Sequence, residues 1–490
     1  MMKTFTGNML NEYLRENKLE RSDIKTFTIP DGVTEIGRCA FVHCKSLESI
    51  RIPDSVTKIG EGAFWGCESL EEIHIPDGVT EIDEEAFKYC HSLKSIHIPS
   101  NILKIGRDMF CDCESLKSVN IPDSVIEIGM RAFSGCQSLE SIKISNGVTK
   151  IGNTAFYGCE SLESIVIPDS VTRIGAGAFR YCKSLESIEI SDNVTRISYC
   201  VFENCHSLKS IHIPESVEEI GKGAFSDCQS LESIVIPDGV IKIEDKAFEN
   251  CQSLNSITIP DSVTEIEDYA FNDCKSLKSI TIPDSVTEIG HGVFCGCQSL
   301  ESIKISNGVT KIEDKAFENC QSLKSIIIPD SVTKIGNDTF KNCESLKSVN
   351  IPDGVTEIGD DTFIGCDSLK YVDMPDSVTE IGWDAFSDCK SLKSIMYKNY
   401  NIKSFLDYNR DDGDNFNIIK KLIEHDMLRE DIFPKAVEAA HASKLDEFCS
   451  NHEDKKPVKP KNHNKEDRLD NLDIELDVSQ DSSITHDMSI

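Results

Sequence analysis

Leu47-Glu48-Ser49-Ile50-Arg51-Ile52-Pro53-Asp54-Ser55-Val56-Thr57-Lys58-Ile59-Gly60-Glu61-Gly62-Ala63-Phe64-Trp65-Gly66-Cys67 carries a complete structural unit. Leu47-x-x-Ile50-x-Ile52 ends in strict apolar–polar alternation, the period of a strand with one face buried. Pro53 removes a backbone donor and stops the pairing. Asp54-Ser55 is turn chemistry, written Asp31-Gly32 or Asn146-Gly147 elsewhere. Val56 to Ile59 is a second short β-branched run. Gly60 reads as a turn glycine free to take positive φ, although Asp83, Ser198, Glu244, Glu267 and Glu313 stand at the equivalent place. Ala63, Phe64 and Cys67 then point back inside.

The unit repeats without a slip. Cysteine recurs every 23 residues from Cys44 to Cys389, and phenylalanine keeps the same step from Phe41 to Phe386. A fixed period of this length marks a stacked array. One coil cannot bury its apolar face alone; its neighbours must cover it and complete its strand hydrogen bonds. The sequence therefore predicts a mainly β repeat solenoid of about 16 coils over 24–397. The stacked phenylalanine rings should fall roughly 4.5–7 Å apart.

Both ends need covering. Met9, Leu10, Tyr13 and Leu14 recur at helical spacing in an N-terminal capping segment, 1–23, and Ile24-x-x-Phe27-x-Ile29 supplies the first strand. Beyond the array, 398–450 reads as a linker and a helix pair carried by Phe416, Ile419, Leu422, Ile423 and Met427, then Ile432, Phe433, Val437, Ala440 and Leu445. The segment 451–490 is charged, poor in apolar residues and expected to be disordered.

The run Leu70-x-x-Ile73-x-Ile75-Pro76-x-x-Val79-x-x-Ile82-x-x-x-Ala86-Phe87-x-x-Cys90 resembles the BspA-like class of leucine-rich repeats. The resemblance implies a right-handed superhelix with short parallel strands on one face and small helical caps. It also implies a binding role, as in the family's surface proteins that hold host matrix proteins or other cells.

The net charge is −33, of which −7 lies after Tyr397. So acidic a surface repels phosphate backbones and anionic lipid, so nucleic acid is not the expected partner. No apolar run approaches the roughly 20 residues of a membrane span. Met1 to Arg21 carries Glu12, Arg15, Glu16, Lys18 and Glu20 and does not read as a secretory signal. A cytoplasmic protein is expected, with a cell-surface or secreted one as the alternative.

Cysteines in a column at strand spacing have parallel Cβ vectors about 4.8 Å apart, a poor disulfide geometry, and read as reduced core thiols. Cys39, Cys111, Cys200, Cys295 and Cys449 lie off the column and form no metal-ligand spacing. His74 and His97 stack on equivalent strand positions without a third ligand in adjacent coils. The aspartate column from Asp31 to Asp376 is explained by turn preference after proline. Glu35, Lys58, Glu81, Lys104, Glu127 and Lys150 alternate in sign and predict ion pairs between coils. No catalytic motif, cofactor loop or metal site is expected, and the chain does not read as an enzyme.

One column changes freely while the core columns hold. It runs Arg51, His74, His97, Asn120, Lys143, Val166, Glu189, His212, Val235, Thr258, Thr281, Lys304, Ile327, Asn350, Asp373, between two inward isoleucine positions. Packing does not dictate its content, which fits a display surface for a macromolecular partner. The function expected is a monomeric scaffold that binds protein along this strand face. The alternative is an adhesin for matrix protein or glycan.

Overall fold

The computed structural model describes residues 4–397 and 400–401, all within one compact unit, Met1–His425. It is a parallel-strand solenoid of 23-residue coils with a single α-helix, Gly7–Asn17, among the described residues. Each coil contributes two strands. The first, as in Ser49–Arg51, pairs in parallel with its equivalent 23 residues on: Phe27 faces Ile50, Ile234 faces Ile257 and Val349 faces Val372. The second, as in Lys58–Ile59, does the same, Ile59 facing Ile82.

The remaining side of the coil is a series of tight turns, and it too is laddered. Phe41 N–H donates to Ala63 O at 2.8 Å and His43 N–H to Trp65 O at 2.7 Å, one coil ahead. Every face of the coil is therefore sewn to its neighbour by backbone hydrogen bonds, as buried amides require.

The eight inward positions of the unit quoted above are all buried: Leu47, Ile50, Ile52, Val56, Ile59, Ala63, Phe64 and Cys67. The phenylalanine rings form one stack, with centroids from 5.2 Å (Phe363–Phe386) to 5.8 Å (Phe179–Phe202) apart. Their planes stay close to parallel, 1° at Phe133–Phe156 and 18° at most, at Phe202–Phe225. Offset parallel packing is the favoured geometry for such a column.

Cysteine sits beneath the ring for a second reason besides size. Each thiol from Cys67 onward donates to the phenylalanine carbonyl one coil back, as Cys67 to Phe41 and Cys228 to Phe202, both at 3.2 Å. That carbonyl also accepts the cysteine amide of its own coil, Cys44 N to Phe41 O at 3.1 Å. A small apolar side chain with one weak donor suits the place. All described cysteines are free. Cys449 lies outside the described residues. Burial pushes the column thiols up, Cys182 to about 12. Thiol titration under non-reducing conditions should thus be slow on the native protein and reach nearly all cysteines in denaturant. Disulfide pairing of half the column in that assay would overturn the reading.

Gly60 does not do what its sequence reading expects. Positive φ occurs two residues either side of each phenylalanine, at Gly62 (59°) and Gly66 (72°), Asp108 (53°) and Asp112 (58°). Gly60 is glycine because a Cβ there would lie 2.8 Å from Arg38 N in the coil before. Where glutamate takes the position it makes itself useful: Glu244 Oε2 accepts the Lys222 amide at 2.6 Å. Another surface ladder holds register at the proline turn, where Ser55 donates to Val33 O at 2.7 Å and Ser124 to Ile102 O at 2.6 Å.

The first coil has no predecessor, and the N-terminal residues stand in for one. Phe5 stacks on Phe41 at 5.4 Å, and Phe5 O accepts Gly37 N–H at 2.7 Å, as Ile36 O accepts that of Gly60. Thr6 caps the helix Gly7–Asn17, which buries Leu10 and Leu14. Arg21 donates to Val42 O at 3.0 Å and Ala40 O at 3.4 Å, carbonyls that later coils satisfy with a preceding amide. At the other end, Ser394–Tyr397 pairs antiparallel with Tyr400–Asn401. The helix pair expected in 398–450 and the tail 451–490 fall outside the described residues.

Candidate functional site

The fifteen variable residues from Arg51 to Asp373 are all exposed, and they lie in one row because the strand register is 23 throughout. Asn120 faces Lys143, His212 faces Val235, and Thr281 faces Lys304. The isoleucines on either side point inward and anchor the row: Ile234 and Ile236 are each 4% exposed, while Val235 between them is 73% exposed. Val166 and Ile327, at 58% and 63%, are open in the same way. Apolar side chains held at strand spacing beside charges and amides offer a partner mixed chemistry on a rigid base.

His97 Nε2 lies 3.7 Å from Asp77 Oδ1, a contact between two exposed groups. Among the described residues no group of three or more His, Cys, Asp or Glu is placed to hold a metal ion.

Much of the sign-alternating column pairs as its spacing predicts, while Glu35 instead accepts from the Thr4 hydroxyl at 3.0 Å. Lys58 pairs with Glu81 at 2.8 Å, and Glu127 takes Lys150 at 2.8 Å and Lys104 at 3.3 Å. A second column does the same with Lys25–Glu48 at 2.9 Å and Lys94–Glu71 at 2.7 Å. Such exposed pairs contribute roughly 0–1 kcal/mol each, so they favour register more than stability. Hydrogen bonding to Lys58 outweighs desolvation and holds the Glu81 carboxyl below the usual range, so this pair persists at neutral pH.

Sequence reasoning passed over the turn face. Trp65 lies 6.4 Å from Tyr89, and Lys88 Nζ sits over both rings at 5.3 and 5.4 Å. Asp108 is wholly buried between Arg131, at 2.8 Å, and Arg107, at 3.0 Å. Tyr157 and Tyr181 meet edge to face at 5.4 Å. The signal in the sequence is that the residue after the phenylalanine is aromatic at Trp65 and Tyr157 and charged at Lys88, Arg180 and Glu203.

Parallel coils, a buried leucine–isoleucine–phenylalanine core and an exposed variable strand row define a leucine-rich-repeat solenoid, a class that typically works by binding rather than by catalysis. The chain belongs to the BspA type leucine rich repeat region family, whose model matches 12–140, 104–232, 218–347 and 334–420. Among solved structures it is similar to a leucine-rich repeat protein from Bacteroides ovatus, at 32% identity over 76% of this chain and 86% of that one, TM-score 0.57. It is also similar to a leucine rich cell surface protein from Faecalibacterium prausnitzii, at 35% identity over 66% and 87%, TM-score 0.43. The pneumococcal vaccine antigen PcpA matches at 24% over 67% and 84%, TM-score 0.44. No curated protein matches. No helix of the described residues is long and apolar enough to cross a membrane.

Proposed function

We propose that this protein is a monomeric, non-enzymatic scaffold that binds a partner protein along the row from Arg51 to Asp373. What carries the reading is that one column is exposed in every coil and varies from arginine to valine to aspartate, while the columns beside it stay fixed. Sixteen strands at about 4.8 Å extend some 75 Å, enough for a large protein surface. The twenty cysteines among the described residues are free, which suits a reducing compartment, so the cytoplasm is the proposed setting. Cell fractionation tests that setting directly, since recovery only at the surface or in the medium would favour the adhesin alternative.

The binding face is tested once a partner has been captured by cross-linking through Lys143 and Lys304. Replacing His74, His97 and Asn120 together by serine, or Val235, Thr258 and Thr281, should weaken binding about tenfold or more for whichever end the partner covers. Deleting 451–490 should leave affinity within about twofold, because that stretch brings few apolar anchors. Loss of binding on tail deletion, with both triple variants intact, would show that the row is not the site.

A further inference from the structure

From the turn face we infer that the cleft between Tyr89 and Tyr157 is a binding site for a neutral saccharide. The cleft is open to solvent and holds about 300 Å³, at the small end of the usual size for ligand sites. It exists because of what two intervening coils leave out. Lys88 and Tyr89 line one side, with Trp65 packed against Tyr89, and Tyr157 lines the other, with Tyr181 packed against it, whereas the coils between them present Cys111, Asp112 and Ser134. Tyr89 and Tyr157 thus form two aromatic walls three coils apart, about 14 Å along the array.

The polar groups point to a hydroxylated, uncharged ligand. Asp108 lines the cleft with its side chain fully buried. Its Oδ2 is held by Arg131 and Arg107, but Oδ1 has no hydrogen-bond partner among the described residues, and Lys88 Nζ stops 3.6 Å short of it. A buried carboxylate oxygen left without a donor is costly, and a ligand hydroxyl would supply one. Burial pushes the Asp108 carboxyl up, yet hydrogen bonds from the two arginines and the nearby Lys88 charge outweigh it and hold it below the usual range, so the oxygen is an anionic acceptor. The Arg131 Nε is likewise buried without an acceptor. Lys88 and Arg131 balance Asp108 and Asp112, so the lining carries no net charge to reward an anion or a cation. Hydroxyls that both donate and accept, on rings whose C–H faces lie against tyrosine, match all of these features. The inference stands apart from the strand-face reading, because the two sites lie on different sides of the coil.

Trp65 is the reporter, since the only other tryptophan in the chain is Trp383. A Trp383→Phe protein would be titrated with maltotriose, cellotriose, chitotriose and mannotriose, following Trp65 emission, with inorganic phosphate as the charged probe. At least one trisaccharide should give a saturable change below about 10 mM. Tyr89→Gly and Tyr157→Ser should each weaken it tenfold or more. Both variants install residues that the chain itself uses at the equivalent places, Gly135 and Ser134, so they leave the fold intact. Asp108→Asn should weaken binding without removing either wall. No saturation by any of the four, retention of binding in both wall variants, or saturation by phosphate instead, would each overturn the assignment.

Discussion

Phe225→Ala should lower the unfolding free energy by about 3–5 kcal/mol, the range for emptying a buried aromatic site. Phe225 has no exposed surface, and its ring lies 5.5 Å from Phe202 and 5.3 Å from Phe248. Removing it leaves a void that touches both neighbouring coils at once. Its carbonyl would still accept Cys228 N–H and the Cys251 thiol, so the backbone ladder gives the site no freedom to collapse. Coils couple mainly to their neighbours, so the loss should appear as a partly unfolded species or a broadened denaturant transition rather than a uniform shift. Hydrogen exchange should locate the weakened amides around Phe202 to Phe248. A loss under about 1 kcal/mol would mean that this ring does not sit in a packed core.

What could be read from the sequence follows from what the period records. Phe64, Cys67, Leu70 and Ile73 recur because each coil must fill the same interior, and a missing member leaves a cavity shared with two neighbours. The strands, the ring stack, the free thiols and the exposure of the variable row all follow from that repetition. The role of Gly60 does not, because its cause lies at Arg38 in another coil, and glycine alone does not distinguish close approach from positive φ. Arg21 was equally unreadable, since its value depends on Ala40 and Val42 having no coil beneath them. The cleft at Asp108 was hidden for a similar reason. It is made by small residues, Cys111 and Ser134, lying between larger ones three coils apart, and periodicity records what stays constant rather than what is missing. Even the positive-φ positions left only a faint trace, an excess of glycine, asparagine and aspartate at the place of Gly66, interrupted by His43, Tyr89 and Tyr181.

Gly152→Val should destabilise the array by about 1–3 kcal/mol, the range for overpacking a filled site, although glycine-to-valine ordinarily favours a β-rich backbone. A Cβ at Gly152 would lie 2.6 Å from both Gly129 C and Met130 N in the preceding coil, backbone atoms that no rotamer change can move. Two coils must part, and the Gly152 N–H bond to Ile128 O, 2.8 Å long, lies in the seam that opens. Gly152→Glu should cost less than Gly152→Val despite its greater bulk. In the coils that carry glutamate here the carboxylate repays the intrusion by accepting an amide of the preceding coil, as Glu244 does from Lys222 and Glu267 from Asp245. The corresponding amide for a glutamate at 152 is that of Met130, at an exposed edge where a carboxylate can reach it without being stripped of water. Denaturant unfolding of the two variants beside the parent gives the comparison, and Gly152→Ala measures the steric part alone. Equal losses for valine and glutamate would show that the carboxylate contributes nothing and that the exceptions at Glu244, Glu267 and Glu313 are merely tolerated. A valine protein as stable as the parent would show that the seam is loose, and that glycine at this position reflects something other than contact between coils.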